Sequence, residues 1–569
     1  AIDFATLSLL LARGRDVVWS PSRAAALAAI VYALAIPVIG AHAPNGDEPY
    51  YLAVSESLVR DFDFDLRNQY AAHKIGPQFN DPTGPNGEQY SRHEPFLSVL
   101  MVPGFALAGA NGAIATLALF GVLLVRSTFR WMEDEGVPDA HARAVFPFFA
   151  LGAPVLFYAT RMWPEVPAAF FFVEALRGAR NQRLKRWLPA LLGLVMLKLR
   201  FLLVAVGLIA TMLFDRRPAR AQSGGKRTTL LIAAAVLVVP LAVLYFLTGS
   251  ATNVHSWGEL LPAPAHRYVV GFFGLLADGF GGIPFQAPFF LFGLFAITRW
   301  RTTPRGFRTG VLAATLYILY LLPRPEWHGG WAPPLRYLVF LMPVLALGAA
   351  SVWDRISRGA IAIAAVWTIG VTVHGLAYPY RLFHIANGET PAGEWLSHLY
   401  GSDFSRLIPS FIRPNEVRWI GVAVVLALVT VGLRRWKHDL AIPLFALALA
   451  IGFTYARKPG SRIDFEDAHV TKSGGTLYPH EYEMVRFWFR SGWVLDAGQS
   501  VSFLARRGTH TLEFVTGLGA AFELAGRAYH VDPAPGYQRI RVTIAEEGRV
   551  TLHCVSGAIN LERMEHESP

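Results

Sequence analysis

Two adjacent carboxylates, Asp47 and Glu48, follow the first strongly apolar run of the chain, in the stretch "HAPNGDEPYYL". A third, Glu94, lies in "RHEP" at the far end of the same hydrophilic stretch. Two carboxylates in a half-buried cavity suit general-base work on a hydroxyl or an amine. Carboxylate oxygens also suit a divalent metal. The alternative is simple solvation of a helix end at a membrane surface, and the acidic, aromatic residues 42–93 favour a site instead.

The segment "DFDFD" at residues 61–65 lies between these acids. Its three aspartates could ligate a metal through oxygen. We expect instead that they form the polar side of an interfacial segment whose Phe62 and Phe64 face lipid.

Two cations, Lys198 and Arg200, interrupt the apolar run "WLPALLGLVMLKLRFLLVAVGLIATMLF". Both flanks of this run are basic, so we expect two short helices that meet at the cations, near the outer leaflet. Cations inside a membrane protein are costly and usually have a counter-ion. An anionic ligand such as a lipid phosphate would fit, and snorkelling of the side chains to the interface is the alternative. Arg336 is a third candidate for a phosphate, because a guanidinium pairs well with that group.

Further candidates lie in broken or aromatic stretches: "RMWPEVPAA", "GLLADGFGGIPFQAPFF" and "RPEWHGGWAPPLRYL". An acid at a helix start and aromatics at an interface also have ordinary structural explanations. Broken backbone at membrane depth, by contrast, is tolerated only where it lines protein or a cavity. The additional cavity candidates are Glu48, Tyr51, His93, Glu165, Asp278, Trp327, His328 and Tyr337.

The elements that would position these residues are mainly membrane helices. Of the 569 residues, 53% are hydrophobic and only 16% are charged, with a mean hydropathy of +0.35. A soluble domain carries about 25% charged residues. Thirteen apolar runs can be distinguished between residues 22 and 456, and several are shorter than the ~20 residues of a perpendicular span. We therefore predict a polytopic α-helical membrane protein with about 13 transmembrane helices.

The net charge of +11 is best explained by basic cytoplasmic loops and not by nucleic-acid binding. Segments 177–186, 215–228, 299–308 and 434–439 are rich in Lys and Arg. With thirteen crossings all four lie on one side, which puts the first external loop, 42–109, and the C-terminal tail outside. The chain begins with Ala and has no cleavable-looking signal peptide, so we expect its initiating end to be missing or processed.

Residues 457–569 have a different pattern, in which apolar and polar residues alternate between glycine-containing turns. This alternation predicts half-buried antiparallel strands. We expect a transmembrane domain at 1–456 and an extracytoplasmic β-sandwich or jelly-roll domain at 457–569. Cys554 is the single cysteine, which excludes an internal disulfide and a cysteine-based zinc site.

The order of several short pieces resembles the GT-C superfamily of integral membrane glycosyltransferases. Groups of this superfamily that the sequence resembles are the lipid A aminoarabinose transferases, the protein O-mannosyltransferases and the broad bacterial group associated with them. The pieces span residues 22 to about 350: "GDEPYYL", "RHEPF", "FALAGANG", "MWPEVPAA", "LKLRF", "GLLADGFGGIPFQAP" and "WHGGWAPPLRYL". "HEPF" departs from the Glu-Lys-Pro pattern of the aminoarabinose transferases, which weakens any claim to the same substrate.

The resemblance implies transfer of a sugar from a polyprenyl-phosphate donor at the outer face of the bacterial cytoplasmic membrane, typically with inversion. Asp47 matches the acid that activates or positions the acceptor, and Glu94 matches a second acid. Lys198, Arg200 and Arg336 match cations that hold the carrier phosphate. The acceptor is left open between lipid, glycan and protein. No cofactor is certain, a divalent metal is possible, and no nucleic acid is expected as a partner.

Other classes of protein share some of these features. A polyprenyl-linked glycan polymerase or ligase also handles carrier phosphate, usually with a large loop rich in Arg and His. A lipid-carrier transporter needs broken helices and intramembrane charges, but would more naturally show internal repeats. A surface receptor that binds glycan through the C-terminal domain would not need buried Lys and Arg.

Overall fold

The computed structural model describes residues 19–39, 44, 46–73, 81–181, 183–213, 226–248, 263–330 and 332–377. It also describes short pieces between 379 and 448, and residues 462–465, 470–474, 476–477, 493–516, 519–534 and 537–567. Most of the basic segment 215–228, the segment 434–439 and the predicted domain boundary at 457 lie outside these residues.

The described part of the first 450 residues is helical. The helices are α1 Pro21–Ile39, α2 Glu48–Arg60, α3 Arg67–His73, α4 Phe96–Asp134, α5 Asp139–Ala150, α6 Val155–Ala159, α7 Glu165–Arg180, α8 Leu184–Leu197, α9 Leu202–Leu213, α10 Lys226–Thr248, α11 Ala265–Ala277, α12 Ile283–Gln286, α13 Phe290–Phe295, α14 Arg305–Leu321, α15 Met342–Ser351, α16 Arg358–Ala377 and α17 Arg418–Gly432. Short 3₁₀ helices are Leu199–Phe201, Ala296–Arg299, Arg336–Leu341 and Trp353–Arg355.

Four helical segments within the described residues are long and apolar enough to cross a membrane: Pro21–Ile39, Phe96–Asp134, Leu230–Leu247 and Arg358–Ala377. The chain is therefore a helical membrane protein. The other apolar runs mostly form shorter helices, such as Leu199–Leu213 and Arg336–Ser351. A count of about thirteen crossings accordingly stays a prediction.

Helix α4 is broken at the start of the stretch "GANG", residues 109–112. Ala108 has φ −147° and ψ 25°, and Gly109 has φ 57° and ψ −140°, so the helix bends sharply at this point. The two halves meet without side chains between them: a Cβ on Gly112 would lie 1.8 Å from the carbonyl oxygen of Gly104. Backbone thus packs on backbone where the short first half turns into the long second half.

We expect Gly112→Ala to lower the free energy of unfolding by about 1–3 kcal/mol, the cost of forcing a methyl group into filled space. Thermal unfolding of the purified protein measures the effect. Gly548→Ala is the control, because a Cβ there meets nothing within 4 Å and its φ lies outside the strained positive range, so the free energy of unfolding should change by less than about 0.5 kcal/mol. An equal shift for both variants would contradict close backbone packing.

The "DFDFD" segment differs in part from its prediction. Phe62 has φ 60° and is 87% exposed, as an outward-facing residue should be. Phe64 instead packs on the small cluster of Ala53, Val54, Leu66 and Tyr70, so the expectation that it faces lipid is wrong. The left-handed turn at Phe62 breaks the alternation that would place both rings on one side.

The aspartates of this segment bind within their own loop. Asp63 accepts a hydrogen bond of 2.7 Å from the Ser57 hydroxyl, and Asp65 accepts one of 3.0 Å from the backbone N–H of Gln89. Asp61 accepts one of 2.8 Å from the Asn68 side chain. These acids therefore order the first hydrophilic stretch.

The C-terminal part confirms the predicted strands. They are β1 Arg462–Asp464, β2 Thr471–Ser473, β3 Thr476–Leu477, β4 Trp493–Asp496, β5 Ser500–Ala505, β6 Gly508–Val515, β7 Ala520–Leu524, β8 Arg527–Val531, β9 Tyr537–Ile544 and β10 Gly548–His566. All the pairings between these strands are antiparallel. The long β10 pairs with β5 and β7 in its first half and with β1, β4 and β6 in its second. The inward-facing residues form one apolar core, which includes Cys554.

Candidate active site

Six charged side chains that are far apart in sequence meet in one place. They come from the start of α2, the turn before α4, the start of α7, the junction of α8 and α9, and the 3₁₀ helix Arg336–Leu341. We call this group the charged cluster. Its members are Asp47, Glu94, Glu165, Lys198, Arg200 and Arg336.

Arg336 is the centre of one half of the cluster. Its Nη2 donates to Asp47 and its Nε donates to Oε1 of Glu165 at 3.1 Å. Its Nη1 donates to the carbonyl oxygen of Gly329 at 3.1 Å. Glu165 Oε1 also accepts from Nη2 of Arg200 at 2.8 Å, so one carboxylate oxygen holds two guanidinium groups.

Lys198 is the centre of the other half. Helix α8 ends at Leu197 and Lys198 is extended, with φ −157°, before the next helix starts. This confirms the predicted meeting of two short helices. The ammonium group lies 3.0 Å from Glu94 and 3.2 Å from Nδ1 of His93. Nε2 of His93 lies 3.8 Å from Asp47, which joins the two halves.

Aromatic rings cover the cations. The guanidinium of Arg336 lies 4.2 Å from the centre of the Trp163 ring, and that of Arg200 lies 4.6 Å from the Tyr337 ring. Lys198 lies 5.4 Å from the ring of Tyr51. Such contacts stabilise a cation most where water is excluded. Trp163 was not among the sequence candidates, although it directly precedes Pro164 and Glu165 in "RMWPEVP".

Three polar atoms of the site are buried and have no hydrogen-bond partner among the described residues: the Tyr51 hydroxyl, Oε2 of Glu165 and Nε of Arg200. A buried polar group without a partner costs about 1–3 kcal/mol. The donor and acceptor capacity left over here suits a polar ligand.

Burial by itself would raise the pKa of the Asp47 carboxyl. The positive charge of Arg336, with contributions from His93 and Lys198, outweighs burial and holds the pKa of the Asp47 carboxyl well below its usual range. Asp47 is thus an anion in this arrangement, but a weakly basic one while Arg336 is its partner.

Glu48 faces a different partner from its neighbour. Its Oε1 accepts a hydrogen bond of 2.9 Å from Nε of Arg161 and one of 2.8 Å from the backbone N–H of Met162. Its Oε2 accepts a hydrogen bond from Nη2 of Arg161. Arg161 also donates to the carbonyl oxygen of Ile39 at 3.2 Å. Glu48 is fully buried, so this pair ties the end of α1 to the turn before α7. Glu48 thus helps to hold these helices together, and its place in the cavity stays a prediction.

Asp278 also has a structural role. Its two oxygens accept from the backbone N–H groups of Phe280, Gly281, Phe411 and Ile412, at 2.8, 2.7, 2.6 and 3.3 Å. The broken stretch is thus held to the chain near residue 411, and the described hydrogen bonds of the Asp278 carboxylate go to backbone N–H groups outside the charged cluster.

Trp327 and His328 also lie apart from the cluster among the described contacts. The Trp327 ring packs against Gly274 and Gly281, where a Cβ would come within 2.3 and 2.8 Å of it. Burial lowers the pKa of His328 to about 4, so its ring is neutral at pH 7. The next residue, Gly329, has φ +114° and a Cβ there would lie 2.8 Å from Arg336, so only glycine fits beside the cluster.

A second ionic group lies at the other end of α7. Arg180 pairs with Glu135, whose other oxygen accepts from the backbone N–H of Gly306 at 2.9 Å. A cavity of about 40 Å³ lies beside them. Among the described residues, no group of three or more His, Cys, Asp or Glu side chains could hold a metal ion, in this group or in the charged cluster.

No protein-family model and no curated protein matches the chain. Among solved structures, the arabinosyltransferase EmbB from Mycobacterium smegmatis aligns with 99% of this chain and 67% of its own, at 12% identity and a TM-score of 0.40. ArnT from Cupriavidus metallidurans, solved with undecaprenyl phosphate, aligns with 80% of this chain and 76% of its own, at 16% identity and a TM-score of 0.40.

EmbB and ArnT are glycosyltransferases of the superfamily that the sequence resembles. CsCBM6-3 from Clostridium stercorarium, solved with cellobiose, aligns with 19% of this chain and 94% of its own, at 15% identity and a TM-score of 0.16. The sequence identities and TM-scores of all these alignments are low, so the proposed function rests on the charged cluster instead.

Proposed function

We propose that the protein is a GT-C-type membrane glycosyltransferase that moves a sugar from a polyprenyl-phosphate donor to an acceptor at the extracytoplasmic face. The observation that carries this proposal is the meeting of Arg336, Arg200 and Lys198 with two acids, Asp47 and Glu94, in one largely buried place. Three fixed cations suit a phosphate, and an adjacent carboxylate suits a proton from an acceptor.

The donor phosphate would bind to the guanidinium groups of Arg336 and Arg200, with Lys198 nearby. An acceptor hydroxyl or amine then attacks the anomeric carbon, and the bond from that carbon to the phosphate oxygen breaks. The phosphate keeps the electron pair and leaves as polyprenyl phosphate. Cations held in a water-poor site stabilise this growing charge, so the leaving group needs little protonation.

Asp47 would take the proton that the acceptor loses. Attack from the face opposite to the departing phosphate inverts the anomeric carbon. The Glu94 carboxylate pairs with Lys198 and accepts a hydrogen bond of 3.0 Å from the backbone N–H of Leu199. These two contacts support a role for Glu94 in positioning the Lys198 ammonium group. The acceptor would approach from the aqueous side, and this orientation is part of the proposal.

The experiment is a transfer assay with the purified full chain in lipid nanodiscs. A panel of polyprenyl-phosphate sugars and candidate acceptors is supplied, with and without a chelator, and release of polyprenyl phosphate is measured. Release from at least one donor supports the proposal and names the sugar. A folded protein that binds polyprenyl phosphate but turns over no donor would favour carrier transport and contradict it.

We expect Arg336→Lys to lower kcat/KM for the donor about 10²- to 10³-fold, because lysine cannot bind Glu165 and a phosphate side by side. Arg324→Lys is the matched control in the same segment, where Arg324 stacks 5.1 Å over Tyr320 and lies outside the cluster. Equal losses for both variants would contradict phosphate binding by Arg336.

A further inference from the structure

Asp47 is paired in a way that conflicts with its proposed role. A base must be able to receive a proton, yet the Asp47 carboxylate accepts a hydrogen bond from Nη2 of Arg336. A charge-assisted bond of this kind strongly favours the ionised acid. Something must therefore replace Asp47 on Arg336 before the carboxylate can act as a base.

Arg336 does not depend on Asp47 for its position. Its Nε is held by Glu165, its Nη1 by the carbonyl oxygen of Gly329, and the flat face of its guanidinium lies on Trp163. Only Nη2 points to Asp47. A different anion could take that one contact while the other three stay in place.

Asp47 is also the acid that can move most easily. Its side chain is 16% exposed, whereas that of Glu165 is 1% exposed. Arg200 is 17% exposed, so the accessible edge of the cluster runs from Arg200 to Asp47. The six members carry three negative and three positive charges, so an incoming phosphate needs an acid to give up its cation.

We propose that the donor phosphate displaces Asp47 from Nη2 of Arg336, and that Glu165 is the positioning residue that holds Arg336 and Arg200 in place during this exchange. The inference rests on the proposed function, since it takes the anion to be a polyprenyl phosphate. Donor binding then frees the base, so the base becomes competent only when a carrier phosphate occupies the site. An acceptor or water that arrives first meets an Asp47 still paired with Arg336.

The two carboxylates on Arg336 should consequently have opposite effects on binding. We would measure the Kd of undecaprenyl phosphate for the full chain in nanodiscs, with the phosphate-free polyprenol and inorganic phosphate as separate arms. Asp47→Asn removes the competing acid and should tighten binding about tenfold. Glu165→Gln removes the anchor and should weaken binding about tenfold, although it also removes a negative charge. Glu165→Asp should recover part of the loss.

The Kd values of the variants test two separate claims, the displacement of Asp47 and the positioning role of Glu165. Tighter binding by Asp47→Asn with weaker binding by Glu165→Gln supports the exchange. If Asp47→Asn binds more tightly and Glu165→Gln binds as tightly as wild type or more tightly, the effects come from net charge alone, and the positioning role of Glu165 is overturned. Unchanged or weaker binding by Asp47→Asn overturns the displacement. No phosphate-dependent binding by the wild-type chain overturns the proposed function itself. Thermal unfolding of each variant is recorded, and a Glu165→Gln protein that does not fold is replaced by Glu165→Asp, for which undiminished binding overturns the positioning role.

Discussion

Asp47→Asn is expected to lower the rate of sugar transfer about 10²- to 10⁴-fold, the contribution of a positioned general base. An amide cannot take the acceptor's proton, but it has nearly the same shape as the acid. Arg336 keeps its contacts to Glu165, Gly329 and Trp163, so the fold should be unaffected. The measurement is single-turnover transfer at saturating donor, which separates chemistry from binding.

The control for this prediction is Asp61→Asn, in the same hydrophilic stretch. Asp61 binds the side chain of Asn68 and has no described contact with the cluster. The Asp61→Asn variant should retain its transfer activity. A loss of transfer rate comparable with that of Asp47→Asn would point to a general effect of the loop. Full transfer activity in Asp47→Asn would show that Asp47 is not the base.

Glu48→Gln is expected to lower the free energy of unfolding by about 3–5 kcal/mol, the cost of breaking a buried ion pair by removal of one partner. The change leaves the guanidinium of Arg161 buried without its counter-ion. The contacts of Arg161 to Ile39 and of Glu48 to Met162 would weaken together, because they belong to the same network. Thermal and denaturant unfolding of the purified protein would measure the loss.

A double variant tests whether the pair is the cause. Glu48→Gln with Arg161→Met removes both charges, and replacing a buried pair by apolar groups is often close to neutral. We therefore expect the double variant to be more stable than Glu48→Gln alone. Additive losses from the two changes would contradict a direct pair.

The different roles of Asp47 and Glu48 could not be predicted from the sequence. Adjacent residues at a helix start point about 100° apart, but their partners lie far along the chain, at Arg336 and Arg161. The acids were recognisable because they directly follow an apolar run and lie in an acidic, aromatic stretch. Which of them would meet a phosphate-binding cation depends on packing between distant helices.

The cations were easier to predict. Lys198 and Arg200 stand out in an apolar run, and the basic flanks required a turn between two short helices. The structure has this turn, with the extended residue at Lys198. Trp163 and Arg161 were missed, although a charged residue and a tryptophan directly before "PEVP" are a signal of the same kind. Asp278 was misleading because its carboxylate serves backbone N–H groups from a segment more than 130 residues away.

The strands of the C-terminal part were predictable from alternation alone, since inward and outward residues alternate with a period of two. Their order was not. β10 pairs with five other strands and changes partners near a bulge between Cys554 and Ser556. No local pattern indicates that one 19-residue strand will connect both groups of strands.

The most direct test of the central claim is an experimental structure of the full chain in lipid with undecaprenyl phosphate bound. The account predicts a phosphate oxygen within hydrogen-bonding distance of Nη2 of Arg336, a second near Arg200, and Asp47 turned away from the guanidinium. A phosphate bound at the other end of α7, beside Arg180, would contradict the assignment of the charged cluster as the donor site.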